Sequence, residues 1–131
     1  MIYLITDISA SMSVLGKSAI VGNLKTTLYT LKEIDDKFST VQFEECEWNG
    51  TNEELKNIFA SKNIEKAFVF TDGYFSDETE NFILETNKDS KNIVVVFCGS
   101  DSKVKNKIGI EPKDICYSFE KLVGLRDVQK A

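Results

Sequence analysis

The chain contains no histidine, and that one absence removes several chemistries together. A Ser-His-Asp triad, an imidazole general base and a His-ligated zinc are all excluded, so any catalysis would have to run on carboxylates and metals. The three cysteines, Cys46, Cys98 and Cys116, include no CxxC pair, and their odd number does not make a disulfide framework. Each sits in or beside an apolar strand-like stretch, so buried free thiols are expected. Long hydrophobic runs are also missing. The opening run Ile2-Tyr3-Leu4-Ile5 is far too short to cross a bilayer, and neither a basic region nor a small-residue cleavage site flanks it. Neither a signal peptide nor a membrane span is expected, and the expected location is cytoplasmic. With 16 basic against 21 acidic residues and a net charge of −5, no Lys/Arg cluster stands out as a footprint for phosphates. Nucleic acid and membrane are therefore not expected partners.

What is present is enough apolar material, 42% of 131 residues, for one core, so residues 1–131 are read as a single domain. Strand-like runs alternate with helical periodicity. Ile2 to Thr6 is the first strand. Ile20, Leu24, Leu28, Leu31, Ile34 and Phe38 then recur at helical spacings and predict a helix over Leu15 to Lys37. Thr40 to Cys46 alternates with period two, as a half-exposed strand near an edge does, and Asn49-Gly50 marks a turn after it. A short helix is expected from Asn52 to Ser61, a buried strand from Lys66 to Phe70, and a helix from Asp77 to Lys88 whose acidic first turn suits the helix dipole. Ile93-Val94-Val95-Val96-Phe97 is a β-branched run of the kind covered on both faces. Beyond it, Ile115-Cys116-Tyr117 reads as a last short strand and Phe119 to Val128 as a last helix.

Alternating strands and helices imply an α/β fold: a doubly wound, mostly parallel central sheet of about five or six strands with helices on both faces. Sites in such folds lie outside the carboxyl ends of the strands, where strand order reverses. Two loops qualify, one after Thr6 and one after Phe70, and each carries an aspartate.

In Asp7-Ile8-Ser9-Ala10-Ser11, three oxygen-bearing side chains fall at alternate positions as the first strand ends. A near-extended chain points alternate side chains the same way, so Asp7, Ser9 and Ser11 can converge on one point. Asn49-Gly50-Thr51 and Thr71-Asp72-Gly73 follow in order.

Together these elements resemble the metal-ion-dependent adhesion site of von Willebrand factor A domains, a Rossmann-like family. Its pattern is D-x-S-x-S, then a Thr from a second loop, then the Asp of a T-D-G. The likeness runs over nearly the whole chain. Ala10 stands where the family commonly has glycine, and the stretch from Phe43 to Thr51 is too short for a full extra antiparallel strand. The resemblance implies a divalent ion, Mg²⁺ first and Mn²⁺ or Ca²⁺ as alternatives, held by Asp7, Ser9, Ser11, Thr51 and Asp72. It implies direct contact for the two serines, a switchable role for Thr51, and mainly water-mediated contact for the two aspartates. A hard ion prefers such oxygen ligands. The implied function is metal-dependent protein binding, in which an Asp or Glu carboxylate of a partner completes the coordination. Bacterial members commonly work beside AAA+ ATPases or kinases in multi-protein systems.

Each ligand also has a plain reading. Thr51-Asn52-Glu53-Glu54 matches a capping box, and Ser9, Ser11 and Asp72-Gly73 suit ordinary turns. Trp48 and Tyr74 flank the site as rim residues for a partner or as aromatics packed beneath the loops, and Phe75 is expected to be packed. Asp101 reads as the cap of a helical turn, and Lys103, Lys105 and Lys107 as a solvated face. The main rival function is a PIN-type metal-dependent ribonuclease, which would need Glu44, Glu53 or Asp77 to join Asp7 and Asp72 around two metals. A haloacid-dehalogenase-type phosphatase needs a carboxylate where Ser9 stands, and drops out. A third reading keeps the ion but makes it purely structural.

Overall fold

Ile2–Asp7 forms β1, and its register runs parallel to two neighbours: β2 at Phe43–Trp48 on one side and β3 at Lys66–Thr71 on the other. A computed structural model describes residues 1–89, 91–105 and 107–124. β4, Asn92–Phe97, pairs with β3, and the two-residue β5, Gly109–Ile110, pairs with β4. The sheet is therefore five-stranded and all parallel, in the order β2-β1-β3-β4-β5. The chain builds outward from β1 to β2, crosses back to β3, and continues the other way. Strand order thus reverses between β1 and β3, and ligand-binding crevices in such sheets open at that point.

Among the described residues three α-helices fill crossovers, α1 at Lys17–Ile34, α2 at Asn52–Lys62 and α3 at Asp77–Lys88, and a fourth, α4 at Ile115–Val123, follows β5. Alternate residues of a strand point to opposite faces, and the core divides accordingly. Ile2, Leu4, Phe68, Phe70 and Val96 cluster with Val21, Leu24 and Leu28 of α1 and with Ile115, Phe119 and Leu122 of α4. Ile5, Ala67, Val69, Val95 and Phe97 cluster with Leu55 and Phe59 of α2 and Ile83 of α3. β2 lies at an edge, as its alternation implies. Its outward Glu44 and Glu45 pair with Lys62 and Lys25, and such charged edges discourage pairing with another chain. Among the described residues no helix is long and apolar enough to cross a membrane.

The expected elements differ from the observed ones at several boundaries: β2 runs over Phe43–Trp48 rather than Thr40 to Cys46, and the ends of α1 and the start of α4 differ for local reasons. α1 starts at Lys17 rather than Leu15, because Leu15 and Gly16 adopt the left-handed region at φ 56° and 70°, which a right-handed helix cannot include. It ends at Ile34, where Asp35 turns extended. Ile115-Cys116-Tyr117 is not a strand but the first turn of α4. Ile115, Phe119 and Leu122 recur there at spacings of four and three, and all face the core. Cys116 is consequently exposed, against the expectation of burial, while Cys98 is buried and Cys46 partly so; all three are free. α4 ends at Val123 with Gly124 at φ 88° as its left-handed cap. The remainder of the helix expected to reach Val128 lies outside the described residues.

Candidate metal centre

The loops after β1, β2 and β3 meet at the carboxyl edge of the sheet. Asp7 is only 2% exposed there. Its Oδ1 accepts the Ser9 N–H at 2.8 Å, an Asx-type turn that fixes the path toward Ser11, and its Oδ2 accepts the Thr71 hydroxyl at 2.6 Å. Among the described residues Asp7 forms no ion pair. A buried carboxylate held only by neutral donors is an incompletely compensated charge, and a cation placed beside it is favourable.

The second loop is pressed onto the first. A Cβ on Gly50, which has φ 88°, would lie 3.1 Å from Ser9 Cβ and 3.4 Å from both Asp7 Oδ1 and Ser9 Oγ. Glycine is what allows this approach. Thr51 follows at once as the N-cap of α2. Its hydroxyl donates to Asn49 Oδ1 at 2.6 Å and accepts the Glu54 N–H at 3.3 Å. The capping role is real, and Glu54 turns its carboxylate to the Asn49 N–H at 2.6 Å rather than closing a reciprocal box. A hydroxyl oxygen has two lone pairs, so capping leaves one for an ion.

Asp72, with no exposed surface, begins the third loop. Its Oδ1 accepts the Tyr74 N–H at 3.2 Å, and its Oδ2 accepts from Lys17 Nζ at 3.0 Å. Burial raises the Asp72 carboxyl, but hydrogen bonds from Ser11, Lys17 and the Tyr74 backbone, with the Lys17 charge, outweigh it and hold the group below its ordinary value. Burial pushes the adjacent Cys98 thiol up to about 12, and the Asp72 charge adds to that.

Lys17 was not among the expected site residues. Its side chain is closed from solvent. Besides Asp72 it reaches the Ser11 carbonyl at 3.0 Å and Asp101 at 2.9 Å. Hydrogen bonding to Asp101 is the largest cause that keeps its ammonium above the ordinary lysine value; burial opposes this, and Asp72 adds to it. Gly99 makes room for the stem, since a Cβ there would lie 2.7 Å from Lys17 Cε. Asp101 is therefore a partner of Lys17 rather than the cap of a turn.

Of the rim residues, Trp48 is fully buried, its indole N–H donating to the Thr51 carbonyl at 2.7 Å and its ring lying 6.1 Å from that of the half-buried Phe75. It packs beneath the loops and does not form a rim. Tyr74 is 55% exposed, and its hydroxyl donates to the Asp101 carbonyl at 2.6 Å. Lys105 does not belong to a solvated face: its ammonium donates to the Gly73 carbonyl at 3.1 Å and sits 4.0 Å from the Phe75 ring centroid. Glu44 pairs with Lys62 along β2, and Glu53 and Asp77 sit in the first turns of α2 and α3.

Hydrogen bonds thus join Asp7 to the Ser9 amide and Asp72 to Ser11, with Thr51 one residue from the contact at Gly50. The donor set is all oxygen, which fits a hard divalent ion. Among the described residues no three acidic or thiol side chains cluster to cage a metal, so hydroxyls and water would supply most of the shell. A cavity of about 210 Å³, lined in part by Asp7, Ser9, Met12 and Ser13, opens beside the first loop. No match was found among protein-family models, curated proteins or solved structures.

Proposed function

We propose that this chain is a divalent-metal-dependent protein-interaction module of the von Willebrand factor A type, with Mg²⁺ as its ion. The observation that supports this best is Asp7: a buried carboxylate at the switch point of the sheet, accepting the Ser9 amide and the Thr71 hydroxyl, with no cationic partner among the described residues. In this reading Ser9 and Ser11 hold the ion directly, Thr51 joins or leaves the shell, and Asp7 and Asp72 act mainly through water. The ion supplies a Lewis-acidic position that accepts an Asp or Glu carboxylate from a partner protein. Asp7 keeps Ser9 in place through the 2.8 Å bond to its amide, and Gly50 holds the Thr51 loop against both. By the same resemblance the module serves as a cytoplasmic subunit of an ATPase- or kinase-associated assembly.

The test is Mn²⁺ titration followed by water-proton relaxation. Wild type should bind one Mn²⁺, Asp7→Ala and the Ser9→Ala/Ser11→Ala pair should lose it, and added acetate should displace Mn²⁺-bound water. Binding indifferent to Asp7 overturns the reading. A bound ion that raises the melting temperature yet ignores carboxylate makes the metal structural instead. Cleavage of single-stranded RNA with Mn²⁺, abolished by Asp72→Asn, makes the protein a nuclease.

A further inference from the structure

Lys17 occupies a position that is costly on two counts. It is the first residue of α1, where the helix dipole is positive, and it is buried. Three carbonyl or carboxylate groups from three different loops compensate it: Ser11 after β1, Asp72 after β3 and Asp101 after β4, at 3.0, 3.0 and 2.9 Å. An ammonium has three N–H donors, and each has its acceptor. The stem lies where any side chain at position 99 would stand. The molecule therefore places a fixed positive charge in contact with the carbonyl of one proposed metal ligand and the carboxylate of another.

We infer that Lys17 is a positioning residue that sets the strength and the character of the metal site, acting as a resident cation that shares Asp72 with the divalent ion. The inference rests on the metal-dependent reading above. With its Oδ2 committed to Lys17, Asp72 offers the ion a neutralised carboxylate. The ion must then depend on Asp7 and on uncharged hydroxyls, against the repulsion of a nearby ammonium. An ion held this way is exchangeable and short of negative charge, so a partner's carboxylate is the group that completes it. The same ammonium ties the loops after β1, β3 and β4 together without any metal, so the site is assembled before the ion arrives.

A merely structural Lys17 and a charge-setting Lys17 predict opposite signs. Mn²⁺ affinity is measured by calorimetry for wild type, Lys17→Met and Lys17→Gln, with Lys25→Met as a control that removes an equal charge elsewhere on α1. Losing the buried ammonium should tighten Mn²⁺ binding about tenfold or more, the scale of one unit charge near a divalent ion, while Lys25→Met should change it less than about twofold because that charge is partly exposed and already paired with Glu45. The gain should come with weaker response to acetate. Mn²⁺ binding that appears only in the Lys17 variants overturns the metal-dependent reading and this inference with it. Wild-type binding that depends on Asp7 but is equal or weaker in folded Lys17 variants overturns this inference and leaves the metal-site reading standing. Absence of Mn²⁺ binding in wild type and in both variants overturns the two together. Should neither Lys17 variant fold, Asp101→Asn, which keeps the ammonium and removes a compensating charge, should weaken Mn²⁺ binding about threefold; unchanged affinity in that variant overturns the inference.

Discussion

Lys17 Nζ stands 3.0 Å from Asp72 Oδ2, with both side chains closed from solvent, and this contact fastens the start of α1 to the end of β3. The pair makes stability depend on pH at both extremes. The Asp72 carboxyl is held below its ordinary 3.8, so its contribution is complete above that value and is lost as pH falls through the lower folded value. The Lys17 ammonium is held above 10.5, so its contribution is complete below that value and is lost as pH rises through the higher folded value. Urea-denaturation midpoints between pH 2 and 5 should fall steeply in wild type and less steeply in Asp72→Asn.

Thr51 carries a capping bond that does not depend on any ion. Thr51→Ala should destabilise the metal-free protein by about 1 kcal/mol, the usual scale of a lost N-cap, and Thr51→Ser should cost little. Chemical denaturation in EDTA isolates this effect, and an unchanged Thr51→Ala midpoint would show that the cap contributes nothing.

Gly50 is the point of contact between the Thr51 loop and the Asp7–Ser9 turn. Gly50→Ala meets Ser9 Cβ at 3.1 Å and imposes φ 88° on a residue with a side chain, a strain of about 1–3 kcal/mol. Because Ser9 is the group displaced, Mn²⁺ affinity should fall more than fivefold, the equivalent of about 1 kcal/mol in binding. Calorimetry on Gly50→Ala checks this, with circular dichroism to show that the fold persists.

The three thiols should separate kinetically. Cys116 is exposed and should react with a thiol reagent at once, whereas Cys98, buried and pushed up to about 12, should react only on unfolding. One fast equivalent in native buffer, with Cys98 labelled only in denaturant, is the expected result by mass spectrometry.

The strand runs and the period of α3 were legible because burial on both faces selects continuous β-branched segments, and amphipathic helices repeat at 3.6 residues. β1, β3 and β4 fall where those signals put them, and α3 runs over Asp77–Lys88 as expected. α4 was obscured because Ile115-Cys116-Tyr117 is short and apolar, and a three-residue run does not distinguish the two periods; the spacing through Phe119 and Leu122 does. β5 has only two residues and no sequence signal of its own. At the site, Asp7 and Asp72 followed from their places at strand ends. Lys17, Thr71 and Asp101 did not, because each acquires its role from residues distant in sequence. One signal for Lys17 was available: a lysine at a helix N-terminus opposes the dipole and needs compensation from elsewhere. In the sequence Thr71 is marked only as a neighbour of Asp72, although it is the hydroxyl that holds Asp7.

The closeness of Gly99 to the Lys17 stem also constrains how this sequence can diverge. A side chain at position 99 would force the Lys17 stem to shift, because its Cβ would stand 2.7 Å from the lysine's Cε. Gly99 is fixed a second time by its φ of 105°, a conformation that residues with side chains rarely adopt, so losing the lysine would not free it. The coupling therefore runs one way: a change at position 99 disturbs Lys17, while position 99 stays glycine whatever stands at position 17.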